Sequence, residues 1–345
     1  MNRSVGKTAI VLLGAALLSG CCLVDEDLSD CGGSLSIDYR LRLTTNRQAE
    51  LEKVLPTEAD APVKKALQAY LQGIFNDVAH DVDLSFYEES GPRLHHLADI
   101  KDKEQFSVSL YLDAGTIPHT AVANVAGNGP VSLVEDAAWP AGRLVQKAEK
   151  EFADAHRTGL FSGRTLLTIQ PDHDQRIGMD LTIVNAATAL VLETADAIGI
   201  GTIQAFVSGM ADGFNLADST WTFTGNAFIR TDDLPVEAGS QRCFASVHFP
   251  SRDYRTGTRV VEETEEPFLS ENAPETLWEW HVYVPVADGT ITESVLALSQ
   301  PLRAGQLKIL KAKVQDTGIV TVNDPKVGVS VTLDWQQGSS HEIEF

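Results

Sequence analysis

Ser34-Leu35-Ser36-Ile37-Asp38-Tyr39-Arg40-Leu41-Arg42-Leu43 alternates without a break. Leu35, Ile37, Tyr39, Leu41 and Leu43 fall on one side, and Ser36, Asp38, Arg40 and Arg42 on the other. Successive side chains of a strand point to opposite faces, so this period of two predicts a half-buried strand. The signal recurs along the chain. Asp83–Tyr87, Phe106–Leu112, His119–Val125, Leu160–Ile169 and Ile177–Val184 also read as strands. A second set opens at Ala187 and continues through 202–208, 221–229, 243–249, 278–285, 290–298, 308–314 and 327–335. Asp288-Gly289 is a hairpin turn signal between two of these. Many short strands with turns about every 8–12 residues predict a mainly β protein built of sandwiches. The two sets predict two sandwich domains in tandem, over 34–185 and 186–345.

One or two helices are expected in the first half. Thr57 with Glu58, Asp60 and Pro62 is a helix start. Val63, Leu67, Tyr70, Leu71, Ile74, Phe75 and Val78 then recur every three or four residues, as a stripe that lies on a sheet must. Arg143–Ala155 reads as a second, polar helix.

Upstream of the first strand the sequence has another purpose. Arg3 and Lys7 precede an apolar run from Ala9 to Leu18, and Ser19-Gly20 leads into Cys21. Charge, apolar run and small residues in that order make an export signal over 1–20, to be left out of fold reasoning. The run is too short to cross a hydrocarbon core of about 30 Å. Leu-Ser-Gly-Cys resembles the bacterial lipobox, in which the Cys thiol is lipidated and the chain is cut just before it. Cys21 is therefore the expected lipidation site. Each acyl methylene buried in a bilayer contributes about 0.8 kcal/mol, so several chains anchor a protein without spanning. Residues 21–33 then form an acidic tether, with Asp25, Glu26, Asp27 and Asp30.

The chain of 345 residues carries a net charge of −21. That excludes nucleic acid as a partner, since a phosphate-binding surface needs clustered Lys and Arg. Its four cysteines are Cys21, Cys22, Cys31 and Cys243. Export permits disulfides; Cys31 with Cys243 is one pairing, and spacing does not decide it.

Constellations that carry chemistry are weak. His80-Asp81-Val82-Asp83 with His95-His96 lacks the spacing of a metal site. Asp172-His173-Asp174 opens like a calcium loop but lacks the closing Glu. Ser208 has no nucleophile elbow around it, and Gly127-Asn128-Gly129-Pro130 has no following Lys-Ser or Lys-Thr to cradle phosphate. Trp221, Trp278, Trp280 and Trp335 suit either a core or a sugar platform. No catalytic residue, cofactor or metal is expected.

The order of short motifs says more than any one of them. Glu26-Asp27-Leu28-Ser29-Asp30-Cys31 precedes Leu35-Ser36-Ile37-Asp38-Tyr39-Arg40-Leu41. Asn76–Tyr87, Arg93-Leu94-His95-His96, Ala123–Gly129, Gly213-Phe214-Asn215-Leu216 and Pro325–Trp335 follow. From lipobox to C-terminus this resembles the FimB/Mfa-type fimbrial anchor family of lipoproteins. The resemblance implies two transthyretin-like, Greek-key β-sandwiches and no enzymatic activity. It also implies a surface-facing position at the base of a type V fimbria, held in the outer membrane by lipid on Cys21. The partners it implies are fimbrial stalk or accessory subunits, joined by β-strand complementation. The competing expectation is a surface β-sandwich lipoprotein that binds glycan or host protein through Trp221 or Trp280.

Overall fold

The computed structural model describes residues 34–42, 51, 53–75, 81–88, 91, 93–99, 105–135, 138–171, 173–194, 202–236, 241–254, 275–287, 289–324 and 326–332. Cys21 and the rest of 1–33 lie outside them, as do Cys22, Cys31, His80, Asp172, Asp288 and Trp335.

The described chain is mainly β, in four sheets. The first combines β1 (Ser34–Arg42), β2 (Val82–Tyr87), β3 (Arg93–Asp99), β4 (Gln105–Tyr111), β5 (Gly115–Ala123), β10 (Phe161–Ile169) and β11 (Gln175–Ile183). Their order across the sheet is β3-β2-β5-β10-β11-β1-β4. β1 runs parallel to β11 and antiparallel to β4. Leu35, Ile37 and Tyr39 are buried, as their alternation predicts.

The second sheet has β12 (Ala186–Thr194), β17 (Asp232–Leu234), β18 (Gln241–His248), β21 (Leu307–Val314) and β22 (Val320–Val322), ordered β17-β18-β12-β21-β22. It is covered on both faces. Ala187, Ala189, Val191, Cys243, Ala245, Val247, Leu307 and Ile309 share a core with the first sheet. Ala186, Leu190, Leu192, Phe244, Leu310 and Ala312 share another with the third. A strand buried on both sides reads as a continuous apolar run and not an alternation, and β12 is buried without interruption from Ala186 to Leu192.

The third sheet comprises β8 (Ala148–Glu149), β9 (Phe152–Ala153), β13 (Gln204–Ser208), β16 (Phe228–Arg230), β19 (Trp278–Pro285), β20 (Ile291–Leu298) and β23 (Val327–Thr332), ordered β23-β20-β19-β13-β16-β9-β8. β19 and β20 pair antiparallel on either side of Gly289, whose φ of 87° meets the turn's demand for a left-handed residue. The fourth, small sheet holds β6 (Val131–Val134), β7 (Arg143–Gln146), β14 (Gly213–Asn215) and β15 (Thr220–Thr222).

The stripe from Val63 gives the helix α1 (Ala61–Phe75), which buries Val63, Leu67, Leu71, Ile74 and Phe75 in the first core. The second predicted helix is a correction. Arg143–Ala155 contains β7, β8 and β9. Leu144 and Gln146 are buried two residues apart, and Lys150 takes φ 56° in the turn before β9. A period of two with a left-handed residue cannot continue a helix. These strands pair with the later half of the chain: β7 with β14, and β9 with β16.

Candidate functional site: the open edge of β21

β21 is paired over its whole length on one side only. Its eight residues, Leu307 to Val314, run parallel to Ala187–Thr194 of β12. On the other side only Ala312, Lys313 and Val314 meet β22. Backbone direction follows from the flanking bonds. Ala187 N–H donates to the Gln306 carbonyl, and Gln315 N–H donates to that of Ile319. Even-numbered residues of β21 therefore turn their backbone groups to β12, and odd-numbered ones to β22. Leu307 and Ile309 present N–H and C=O groups outward, where no strand pairs with them among the described residues.

β22 leaves this edge after Val322 as the chain crosses to pair as β23 with β20. The departure opens a groove of about 710 Å³. Its floor is Lys308–Lys313, one wall is Lys53 and Val54, and the other runs from Thr321 to Asp324.

The groove is basic in an acidic protein. Lys53, Lys308, Lys311 and Lys313 line it, against Glu193 and Asp324. Lys308 Nζ lies 3.9 Å from Asp324 and donates to Gln300 Oε1 at 3.2 Å. Lys311 Nζ donates to Asp60 Oδ1 at 2.8 Å. Asp60, just before α1, is fully buried. It also accepts the Thr57 hydroxyl at 2.5 Å and the Gln241 amide at 3.3 Å. Burial pushes its carboxyl up, but Lys311, Thr57 and Gln241 together hold it below the ordinary 3.8. Lys53 and Lys313 are exposed and make no ion pair among the described residues. An open row of backbone donors and acceptors flanked by positive charge is equipped to bind extended polypeptide.

β4 and β17 are edges of their sheets as well. β4 reads Gln-Phe-Ser-Val-Ser-Leu-Tyr, without a charge, and ends at Tyr111, which is 80% exposed. β17 carries Asp232 and Asp233.

Several residues singled out in the sequence have structural tasks. Trp278 and Trp280 lie on one side of β19 in the core between the second and third sheets. Trp280 is 0% exposed, which corrects its reading as an exposed sugar platform. Trp221 is half-buried, its ring 4.5 Å from Phe214 and 5.6 Å from Phe249. Asp81 Oδ2 accepts the Ala126 N–H at 2.9 Å. Asp174 accepts the backbone N–H and hydroxyl of Ser34 at 2.9 and 2.6 Å, closing the start of β1 onto the turn before β11. His95 and His96 lie on β3. Cys243 is buried in the first core, where burial pushes its thiol up to about 12. Among the described residues no group of three or more His, Cys, Asp or Glu is placed to hold a metal, and no helix is long and apolar enough to cross a membrane.

One constellation escaped sequence reasoning. Ser208 Oγ lies 3.1 Å from His281 Nε2, and Glu293 Oε1 lies 3.5 Å from His281 Nδ1. The three residues come from β13, β19 and β20, so no local spacing announces them. Glu279 Oε2 sits 3.2 Å from the same Nε2. Ser208 and Glu279 share that ring nitrogen, and the cluster ties β13, β19 and β20 together.

No family model matches the sequence, and no curated protein matches it. Solved structures do. The fimbrial anchor protein Mfa2 from Porphyromonas gingivalis aligns at 9% identity over 87% of this chain and 97% of that one, with a TM-score of 0.45. A candidate adhesin from Bacteroides ovatus aligns at 11% identity over 91% of this chain and 98% of that one, with a TM-score of 0.51. A candidate polysaccharide-binding protein of the DUF1812 group from Bacteroides thetaiotaomicron aligns at 9% identity, covering 86% and 97%, with a TM-score of 0.52. The last two similarities establish a shared fold: this chain has the mainly β architecture of these Bacteroides proteins over nearly all of their length.

Proposed function

We propose that the chain is a lipid-anchored subunit of a surface fimbria. Lipid on Cys21 holds it in the outer membrane, and the folded part accepts the next subunit by strand complementation. Residues 34–185 and 186–345 serve as its two units, joined through the β7–β14 and β9–β16 pairs and through the core that the first sheet shares with β12, β18 and β21. The observation that carries this reading is the open edge of β21, where Leu307 and Ile309 offer unpaired backbone groups in a groove. Main-chain pairing at such an edge gives affinity, and side-chain pockets along it give specificity. The lipobox, the acidic tether and the order of motifs supply the anchor half. The role is assembly and not catalysis.

The test is fractionation of cells carrying Cys21→Ala. Wild-type protein should sit in outer membranes and, solubilised gently, run as a ladder of sizes that collapses only on heating. The variant and its attached subunits should appear in the medium. Retention of both on the cells, or a lone monomer from wild-type membranes, would overturn the reading.

A further inference from the structure

We infer that the join between the two halves is an acid-sensitive latch, closed by a neutral His156 held between Asn185 and Gln146, which must open to admit a proton. Asn185 links β11 to β12, and His156 follows β9; both are 0% exposed. The Asn185 carbonyl accepts the Gly305 N–H at 2.6 Å, and its side-chain oxygen accepts the Leu160 N–H. That leaves Asn185 Nδ2 to donate to His156 Nδ1 at 2.7 Å. On the other side Gln146 Nε2 donates to the Asp154 carbonyl at 3.1 Å, so Gln146 Oε1 accepts from His156 Nε2 at 2.6 Å. Backbone partners thus fix both amides, and the amides fix the tautomer: Nε2 carries the proton and Nδ1 stays bare. A proton on Nδ1 would set N–H against N–H in a buried site. Turning the Asn185 amide over would do the same to Leu160.

The titratable neighbour is another histidine. His248 on β18 is 0% exposed, and its Nδ1 donates to the Phe249 carbonyl at 2.7 Å. Its Nε2 has no partner among the described residues. Burial pushes His248 down to about 4, and burial together with His248 holds His156 well below the ordinary 6.5. Phe249 packs edge-on to His156 with ring centres 4.7 Å apart. Charged side chains around the join turn elsewhere: Lys147 to the Gly129 carbonyl, Asp154 to Arg230, Arg157 to Asp232 and Arg303 to Asp253. Asp212, whose carbonyl accepts the Gln146 N–H, gives its carboxylate to Thr222 and Thr224. The ladders that hold segment 143–160 to the later half are short, three residue pairs for β7–β14 and two for β9–β16. The latch adds the bond from His156 N–H to the Val247 carbonyl at 2.7 Å. Opening lets both imidazoles bind protons. The closed form is therefore fully favoured above 6.5 and loses ground as pH falls, by about tenfold per pH unit for each histidine.

The experiment is hydrogen exchange read by mass spectrometry on the full-length protein from about pH 7 to about pH 4.5, corrected for intrinsic exchange. The amides to follow are Leu160, Val184 and Gly305, all bonded within the join. They should exchange ahead of Leu67 and Leu71 in α1, and their protection should fall about a hundredfold per pH unit well below 6.5. His156→Gln should reduce that slope to about tenfold per unit, as should His248→Gln. His173→Gln, at an exposed position, should leave it intact. Protection in the wild type that stays flat with pH, or exchange at the join only in step with α1, overturns the inference whether or not either variant folds. So does an unchanged slope in a folded His156→Gln protein.

Discussion

Replacing Lys311 by Met tests how the groove's charge is held. Lys311 Nζ lies 2.8 Å from Asp60 Oδ1; the carboxylate is 1% exposed and the lysine 32%. Removing one partner of a fully buried pair costs about 3–5 kcal/mol, because the other charge stays buried. Here a third of the lysine is wet, and Thr57 and Gln241 still donate to Asp60. We therefore expect about 2 kcal/mol for Lys311→Met at neutral pH. The dependence on pH has a definite sign. A carboxyl held below its unfolded value adds stability that is complete above that value and disappears as pH falls through the lower folded one. The gap between wild type and variant should therefore be full at neutral pH and close as pH drops below 3.8. Urea denaturation midpoints across pH, with a cycle through Asp60→Asn, measure this. On the Asp60→Asn background, Lys311→Met should cost little. An equal cost on both backgrounds, with coupling below about 0.5 kcal/mol, would refute the reasoning.

Trp280→Ala should destabilise by about 3–5 kcal/mol in thermal or urea unfolding, because a fully buried indole leaves a cavity between two sheets. Gly209 has φ 82°, and an added Cβ would lie 2.8 Å from the Leu277 carbonyl oxygen and from Trp278 Cα. Gly209→Ala should cost about 2 kcal/mol or more by the same measurement, since only backbone can give way. His119 accepts the Tyr39 hydroxyl at 2.7 Å and donates to the Ser85 carbonyl at 2.9 Å, and burial lowers it to about 4 from 6.5. Between those values the unfolded chain binds a proton that the folded one refuses, so stability should fall as pH drops through that window and level off below it. His119→Gln should flatten this slope by up to about 3 kcal/mol in urea titrations at each pH. Cys243 should resist alkylation at mildly alkaline pH in the native protein and react at once in denaturant, read by mass spectrometry.

Legibility in the sequence followed the period of burial. β1 could be read residue by residue because one face is buried and the other carries Asp38, Arg40 and Arg42. The helix was legible for the same reason, through Val63, Leu67, Leu71 and Ile74. The segment 143–155 misled because its strands are short and lie near sheet edges, leaving only Leu144, Gln146, Ala153 and Ala155 buried among many polar residues. Trp278-Glu279-Trp280 told which side the rings share, but not that a second sheet covers that side. The groove left no local signature. Leu307–Val314 reads as any other apolar strand, and its missing partner is a property of where β22 turns away. Ser208, His281 and Glu293 are likewise neighbours only through strand register.

The position of β1 has a mechanical consequence. The strand is gripped along both sides, by β11 from Leu35 to Arg42 and by β4 from Ser34 to Arg40. A pull entering at Ser34 runs along the strand axis, at right angles to its ladder hydrogen bonds. Those bonds are then strained together in shear and cannot be peeled one at a time. Asp174, clasping Ser34 at its backbone and hydroxyl, sits where that force enters. The first described strand is thus placed to resist tension, which the proposed anchor at Cys21 would apply at this end.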